Sequence, residues 1–211
     1  MITIQNLHKT YSGKHCVLDG ITFTFENSHI YGLTGPNGCG KTTLMRCICG
    51  FTHPSSGYVT VEKKVVTRDC DFAPSTGIII ETPGFLPHLS ALKNLSILAR
   101  TSGKASAERI AEVIRFVGLD PDDKKHVGQY SLGMRQRLGI AQAILENPTN
   151  LILDEPFNGL DAQGVSDIHT LLQKLKAEGK CILLASHSAS DIDQACDTIL
   201  LFQNGTISVV K

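Results

Sequence analysis

The sequence has no excess of charge of either sign. Its 20 lysine and arginine residues match its 20 aspartate and glutamate residues, and the pI is about 7.1. Domains that bind duplex nucleic acid usually concentrate positive charge on one face. The balanced charge therefore argues against nucleic acid as a partner.

Long apolar runs are also missing. The strongest ones, residues 77–80 and 181–185, have the length of strands and are flanked by polar residues, whereas a spanning helix needs about 20 apolar residues. Residues 1–4 enter alternating apolar positions directly, without the basic start and longer apolar stretch of a secretory signal. We expect a chain that is soluble by itself and cytoplasmic.

Cysteine pairs at the spacing of a metal finger are absent as well. The seven cysteines are an odd number, and several lie in apolar runs, which indicates buried free thiols in a reducing compartment. Cys39 differs, because it lies near a predicted helix N-terminus where thiols become open to alkylation. Redox sensitivity at Cys39 stays an open question.

Repeats, low-complexity tracts and long linkers are not found either, and 211 residues suit one large α/β domain with at most a modest insertion. A polar loop with Tyr11 and Gly13 is predicted between the first two strands, which should form an antiparallel edge sheet. We expect residues 77–81 to be buried on both faces, and Asn204-Gly205 to close a hairpin. The predicted strands are residues 2–7, 21–25, 30–33, 58–61, 64–66, 77–81, 151–153, 181–185, 199–202 and 206–210.

Helical periodicity dominates the middle of the chain. Apolar residues recur at three and four residues along 110–117, with Ser106 as a start and Gly118 as a stop. Further helices are predicted after residue 43 and along 165–175. The fold class is therefore α/β: a mostly parallel sheet with helices, an antiparallel β subdomain, and a helical subdomain at approximately 87–145, all within one domain of residues 1–211.

Residues 35–42 fit the phosphate-binding pattern of a glycine, four variable residues and Gly-Lys-Thr. Glycines let the backbone curl so that its amides face the phosphates, and the next helix presents its positive N-terminal end to them. Lys41 would reach the β- and γ-phosphates, and Thr42 would supply an oxygen to Mg²⁺. The predicted phosphate-binding residues are Gly35, Asn37, Gly38, Cys39, Gly40, Lys41, Thr42 and Thr43.

Two adjacent acids, Asp154 and Glu155, follow the apolar strand 151–153. At the carboxyl end of a parallel strand they would lie beside the nucleotide, with Asp154 in the Mg²⁺ shell and Glu155 as general base toward water. An ordinary strand end with solvated charges is the alternative. The phosphate loop favours catalysis, because phosphoryl transfer needs both a metal anchor and a water-positioning group.

With these motifs the sequence resembles the ATP-binding cassette family over nearly its whole length. Residues 130–134 read Tyr-Ser-Leu-Gly-Met and are similar to the family signature, usually Leu-Ser-Gly-Gly-Gln. The resemblance implies that Tyr11 stacks on adenine, that His187 is the switch histidine, and that Asp161 belongs to the loop that crosses between subunits. Ser131 can cap a helix whose free amides, together with the close approach that Gly133 allows, form a second anion site. The resemblance implies a head-to-tail pair in which Ser131 and Gly133 of one subunit contact the ATP held by the other.

Glu81 departs from the family pattern, which has a glutamine that senses Mg²⁺ and the attacking water. A carboxylate there adds repulsion near the γ-phosphate unless it serves as a metal ligand. One interpretation is a tolerated near-isostere. The other is a subgroup mark, because residues 81–89 together with the Ser-Leu-Gly-Met signature look like the ATPases of bacitracin and lantibiotic exporters. Glu81 is thus predicted as both a catalytic and a metal residue. Leu132 and Met134 also replace usual signature residues, at some cost in ATP affinity.

An apolar cluster, Phe85, Leu86 and Leu89, follows Glu81 where family members receive a helix from the membrane partner. This cluster is either part of the core of the helical subdomain or a docking surface for the membrane partner.

The resemblance implies an ATPase, with ATP and Mg²⁺ as cofactors, that energises a separately encoded permease, most naturally an exporter, as one member of a homodimer or heterodimer peripheral to the cell membrane. The competitors are a soluble ATPase of the same fold, such as an iron–sulfur assembly or scaffold ATPase, and a switch GTPase or small-molecule kinase. The signature and Glu155 disfavour the last class. The transported substrate lies beyond the sequence.

Overall fold

The computed structural model describes residues 1–11, 15–81 and 83–211. Gly13 and Thr82, which belong to segments interpreted above, lie outside this range. Within it no helix is both long enough and apolar enough to cross a membrane.

One sheet is antiparallel and contains the first strands of the chain. Its order is β2-β1-β4-β5. The strands are β1 (Ile2–Tyr11), β2 (His15–Phe25), β4 (Ser56–Val61) and β5 (Lys64–Val65). The predicted antiparallel edge sheet is confirmed. The first two strands are longer than predicted, so that Tyr11 ends β1 and is not in a loop.

The second sheet is mostly parallel and has the order β10-β9-β3-β8-β7-β6. Among the described strands of this sheet, β10 pairs with β9 antiparallel and the other pairs are parallel. The strands are β3 (His29–Thr34), β6 (Thr76–Ile79), β7 (Asn150–Asp154), β8 (Cys181–Ala185), β9 (Thr198–Gln203) and β10 (Thr206–Val209). Asn204 and Gly205, both at positive φ, form the predicted hairpin turn.

Helices cover the parallel sheet. They are α1 (Lys41–Cys49), α2 (Ala91–Ser102), α3 (Ala107–Phe116), α4 (Leu132–Ile144), α5 (Ala162–Ala177) and α6 (Ala189–Ala195), with a short 3₁₀ turn at Val127–Gln129. Ser106 caps α3 by accepting from Arg109 N–H at 3.2 Å, as its position suggested. The short α6 has 7 residues, of which Ile192 and Ala195 are buried, and it was missed.

The central strands carry alternate side chains into two cores, which explains their continuous apolar sequences. Leu151 and Leu153 of β7 pack with helices α2 to α5. Ile152, between them, packs with α1 and the antiparallel sheet. Both faces of β7 and β8 are buried, and the acids after β7 therefore emerge at the end of a rigid central strand.

The expectation of full burial for residues 77–81 was wrong. Strand β6 ends at Ile79 and is the last strand of the described sheet order. Gly77 and Ile79 are buried, whereas Ile78 and Ile80 are only half-buried. An edge strand has a neighbour on one side only, and Glu81 lies beyond the strand in exposed backbone.

Three of the helices, α2 to α4, follow one another between β6 and β7, where the helical pattern was found. Their apolar side chains, including Leu95, Ile114 and Leu138, join the core on one face of the parallel sheet. The division into one domain with a helical subdomain at about 87–145 remains our prediction.

Candidate nucleotide site and its relatives

The phosphate loop joins β3 to α1 through glycines in backbone conformations that other residues rarely adopt. Gly35 has φ 147° and Gly40 has φ 122°. A Cβ added at Gly35 would lie 2.4 Å from the carbonyl oxygen of Phe202, and one at Gly40 would lie 2.9 Å from the Phe202 ring. The loop therefore needs glycine both for its backbone angles and for its close approach to β9.

Helix α1 begins at this loop, and within the described residues no side chain caps its N-terminus. Its first amides are available to an anion, and the helix dipole favours negative charge there. Lys41 is buried, and its Nζ donates to the carbonyl oxygens of Gly35 at 2.7 Å and Pro36 at 3.1 Å. The loop thus curls around the ammonium group that was predicted to reach the phosphates.

Beside the loop lies a cavity of about 420 Å³. Three elements contribute its walls: the phosphate loop with the start of α1, the carboxyl ends of β6 and β7, and the first turns of α4. Predicted site residues in the wall are Asn37, Gly38, Gly40, Lys41, Thr42, Thr43, Glu81, Asp154 and Glu155. A cavity lined by a phosphate loop and three carboxylates suits a phosphate ester that carries a divalent cation.

Thr42 and Asp154 are in direct contact. The Thr42 hydroxyl donates to Oδ2 of Asp154 at 2.9 Å. Burial raises the pKa of Asp154 above its ordinary value, the Thr42 hydrogen bond opposes this, and the charges of Glu155 and Glu81 add to the rise. A cation bound between these groups would relieve the repulsion.

The donor set fits Mg²⁺. A hydroxyl and one or two carboxylates, completed by phosphate oxygens and water, are the ligands this ion usually takes. No cluster of three or more histidine, cysteine or acidic residues is found among the described residues, and Mg²⁺ at a nucleotide needs no such cage. Thr42 and Asp154 are therefore the groups that would hold it.

Glu155 and His187 lie next to each other. Oε2 of Glu155 is 2.9 Å from Nδ1 and 3.4 Å from the backbone N–H of His187. Glu155 has φ 52°, a left-handed conformation that turns it away from the line of β7. Gln136 of α4 donates from Nε2 to the backbone oxygen of Glu155 at 3.3 Å and lines the cavity.

Several predicted site residues lie outside this cavity wall. Ser131 caps α4 by accepting from Met134 N–H at 3.2 Å, as predicted, and Asp161 caps α5 by accepting from Gly164 N–H at 2.8 Å. Ser131 is exposed and Gly133 is half-buried. The cavity wall includes neither residue, and their contact with ATP across a pair of subunits stays a prediction.

A second cavity of about 440 Å³ shares Gly38 with the first and is lined also by Cys16, Val17 and Cys39. Tyr11, exposed at the end of β1, pairs with His15, the residue before Cys16. Lys9 Nζ lies 4.9 Å from the centre of the Tyr11 ring. The expected stacking of Tyr11 on adenine stays a prediction, because Tyr11 itself does not line this cavity.

Residues that the sequence analysis did not single out also shape the site. Arg46 of α1 forms an ion pair with Glu81. Asn94, which is buried, bonds the backbone of the segment after Glu81 at Leu86, Leu89 and Ser90. No sequence motif marked either residue. The Arg46 contact joins segments 35 residues apart, whereas the Asn94 contacts are local, within eight residues. Gln136 stands in the signature region and could have been noted there.

A family model described as "ABC transporter" matches residues 18–158. This span holds the phosphate loop, the signature and the acid pair described above. The chain belongs to the ABC transporter family. It is an ATP-binding cassette ATPase of a transporter, as the motifs predicted.

The similarity of this cassette to its relatives extends along nearly its whole length. The Bacillus subtilis protein YybJ, an uncharacterized ABC transporter ATP-binding protein, is 42% identical over 98% of this chain and 94% of its own. The bacitracin transport ATP-binding protein BcrA of Enterococcus faecalis is 41% identical over 97% of this chain and 67% of its own. The lantibiotic transport ATP-binding protein SrtF of Streptococcus pyogenes is 37% identical over 100% and 90%. The predicted resemblance to bacitracin and lantibiotic ATPases is confirmed.

Solved cassettes share the fold. An ATP-binding subunit of an ABC transporter superposes with a TM-score of 0.87 at 26% identity, over 100% of this chain and 90% of that one. The dimeric structure of the bacterial ABC transporter cassette MJ0796 gives a TM-score of 0.87 at 25% identity, over 99% and 97%. The predicted fold class of the cassette is confirmed.

Proposed function

We propose that this cassette energises a separately encoded membrane permease and that the assembled transporter exports a peptide or antibiotic. The observation that carries this proposal is the identity of about two residues in five with BcrA and SrtF, whose names assign them to bacitracin and lantibiotic transport. The relatives cited above are transport proteins, and they give no support to the alternative of an iron–sulfur assembly or other scaffold ATPase.

ATP would be held along the phosphate loop. Lys41 would exchange its bonds to the Gly35 and Pro36 carbonyls for phosphate oxygens, while Gly38, Gly40 and the first amides of α1 face the same oxygens. Asn37, Cys39 and Thr43 complete the loop's contacts. Tyr11 would stack on the adenine at the side of the second cavity. The support is that Gly38 lines both cavities.

Hydrolysis would be carried by the acids after β7 and β6. Thr42 and Asp154 hold Mg²⁺, with Glu81 as a further oxygen ligand. When bound, this ion offsets the negative charge on the transferred phosphoryl group. Glu155 orients the attacking water and accepts its proton, and His187 holds the Glu155 carboxylate in position.

The working form would be a pair of cassettes. Ser131 caps a helix whose N-terminal end is exposed, and Gly133 permits close approach, so that together they can face the phosphates held by another subunit. Asp161, already committed to capping α5, would hold the crossing loop in shape beside that contact. ATP between two cassettes favours the closed pair, and hydrolysis releases it. Homodimer and heterodimer fit equally.

The permease would hold the cassette at the cytoplasmic face of the membrane. Of the segment after Glu81, Phe85 packs against the helical core, whereas the Leu86 side chain is exposed. We propose that this segment, fastened from beneath by Asn94, receives the permease. A partner bound there would be close to Glu81 and therefore sensitive to bound nucleotide.

The test compares two tagged variants. Glu155→Gln should trap the ATP-bound pair, whereas Lys41→Ala should prevent ATP binding in a chain of the same fold. Both are purified from detergent-solubilised membranes with Mg-ATP, and cells are also challenged with bacitracin and a lantibiotic after loss of the gene. Recovery of one integral membrane protein with Glu155→Gln alone, and increased antibiotic sensitivity, support the proposal. Recovery only from the soluble fraction, with ribosomes or assembly proteins, overturns transport.

A further inference from the structure

Arg46 and Glu81 form an ion pair between segments 35 residues apart. Nη2 of the Arg46 guanidinium contacts Oε1 of Glu81. Arg46 lies in the last turn of α1, five residues after Lys41, or about 7.5 Å further along the helix axis. The helix that begins at the phosphate loop therefore also holds the carboxylate at the end of β6.

The backbone at Glu81 does not determine where its side chain points. Glu81 follows the end of the edge strand β6, has φ 63° and keeps 66% of its side-chain surface exposed. A side chain this exposed samples several rotamers unless a partner restrains it. Arg46 is the partner that the structure shows.

The charges around Glu81 explain why its position matters. Glu81 lines the main cavity together with Asp154 and Glu155, and its negative charge contributes to the repulsion felt by Asp154. A carboxylate turned into this cavity without a cation is unfavourable. The Arg46 guanidinium offers the same carboxylate a compensating positive charge through its Nη2.

We propose that Arg46 is a positioning residue that competes with the Mg²⁺ site for the carboxylate of Glu81. Without metal and nucleotide, Glu81 rests on Arg46 at the cavity rim. When the Mg²⁺ site fills, Glu81 leaves Arg46 and turns toward it, and the segment after Glu81 is released from helix α1. This inference rests on the proposed role of Glu81 as a metal ligand.

The pair is partly exposed, with 41% of the Arg46 side chain accessible. Exposed ion pairs contribute little free energy. Removing the arginine should therefore lower the Mg²⁺ concentration needed to move Glu81 by only about two- to fivefold. The backbone carbonyl of Arg46 ends α1 by accepting from Phe51 N–H, and any residue supplies it. Arg46→Gln therefore preserves the helix end while removing the charge.

The experiment measures binding and not hydrolysis. In the Glu155→Gln background, fluorescence of N-methylanthraniloyl-ATP is followed while Mg²⁺ is titrated, and the half-saturating Mg²⁺ concentration is the readout. Arg46→Gln should lower it about two- to fivefold, and Arg46→Lys should restore most of the original value. In the Glu81→Gln background, Arg46→Gln should have no effect. Lys104→Gln, which breaks the surface pair of Lys104 with Glu146, is the matched control.

The outcomes distinguish the proposed competition by Arg46 from the proposed role of Glu81 as a metal ligand. An unchanged Mg²⁺ requirement in Arg46→Gln, with a changed one in Glu81→Gln, overturns the competition and leaves Glu81 as a ligand. An equal shift with and without Glu81 shows that Arg46 acts on another group and also overturns it. If Glu81→Gln itself changes nothing, the metal role of Glu81 fails and the inference fails with it. None of these results bears on the permease, which the membrane purification tests.

Discussion

One carboxylate oxygen of Glu155 contacts both the ring and the backbone of His187. Oε2 of Glu155 lies 2.9 Å from Nδ1 of His187 and 3.4 Å from its backbone N–H. An ionised carboxylate can only accept, so that Nδ1 of His187 is the donor in this contact. The histidine thus holds the proposed base by two donors from the loop after β8, and the remaining oxygen of Glu155 is available to water.

The first prediction concerns the base itself. Glu155→Gln keeps the shape of the side chain but cannot take a proton from water. ATP binding should be retained and hydrolysis should fall roughly 100-fold or more. Phosphate release measures the rate, and size-exclusion chromatography with light scattering measures whether ATP now holds a stable dimer. Hydrolysis close to the original rate would contradict the assignment of Glu155.

The second prediction concerns its neighbour. His187→Ala removes the Nδ1 donor and leaves the Glu155 carboxylate free to turn, which should lower the hydrolysis rate by roughly 10- to 100-fold with little change in ATP affinity. His53→Ala, at an exposed histidine outside both cavities, is the control. A loss of affinity equal to the loss of rate would show that His187 contacts ATP and does not position Glu155.

The third prediction concerns the departure at position 81. Glu81→Gln introduces the usual residue of the family, removes one negative charge from the cavity and weakens the bond to Arg46. We expect nucleotide binding to be preserved and hydrolysis, or its coupling to the permease, to change. The measurement is the ATPase rate of the assembled complex with and without transported substrate. Equal kinetics for both proteins would remove any special role for Glu81.

The fourth prediction follows from the raised pKa of Asp154, caused chiefly by burial. Folding makes this carboxyl harder to ionise. The nucleotide-free protein therefore loses stability as pH rises from the unfolded-state pKa of Asp154 to its higher folded-state pKa. Asp154→Asn should therefore raise Tm at pH 7 by roughly 2–4 °C for each kcal/mol gained, although it weakens Mg²⁺ binding. Differential scanning calorimetry without and with Mg²⁺ measures the Tm of each protein and its increase on metal binding.

The gain from Asp154→Asn should disappear below the unfolded-state aspartate pKa of about 3.9, where both states are protonated. Asp122→Asn, at an exposed position away from the site, serves as control and should leave Tm nearly unchanged at both pH values. A lower Tm for Asp154→Asn at pH 7 would mean that its bond from Thr42 contributes more than the cost of burying the charge.

The fifth prediction separates the cysteines by exposure. Burial raises the pKa of Cys47 to about 11 and those of Cys49, Cys181 and Cys196 to about 12, so that these thiols stay protonated and unreactive. N-ethylmaleimide should first label Cys16, Cys39 and Cys70, which are not buried. Mass spectrometry identifies the labelled sites.

Bound ATP should protect the two thiols that line the second cavity, Cys16 and Cys39, and leave Cys70 reactive. Cys39→Ser should make ATP binding resistant to the reagent, with Cys70→Ser as the matched control. Equal labelling of Cys39 with and without ATP would place the nucleotide elsewhere than along this loop.

Local chemistry determined much of this protein. The phosphate loop is specified by glycines whose backbone angles and close contacts exclude side chains, and the acid pair is placed by the apolar strand before it. Capping serines such as Ser106 and Ser131 mark helix starts by their own hydrogen bonds. Each of these signals is contained within a few neighbouring residues, which is why the sequence alone sufficed to predict them.

Only the tertiary structure decided which distant groups meet. The burial of β6 was misjudged because a strand's place at the edge of a sheet depends on the order in which strands pair, and that order is not a local property. The contacts of Arg46 with Glu81 and of Thr42 with Asp154 join parts of the chain that no spacing rule relates. Such long-range contacts arise from the packing of two cores around one sheet. This packing determines which charged side chains meet at the site.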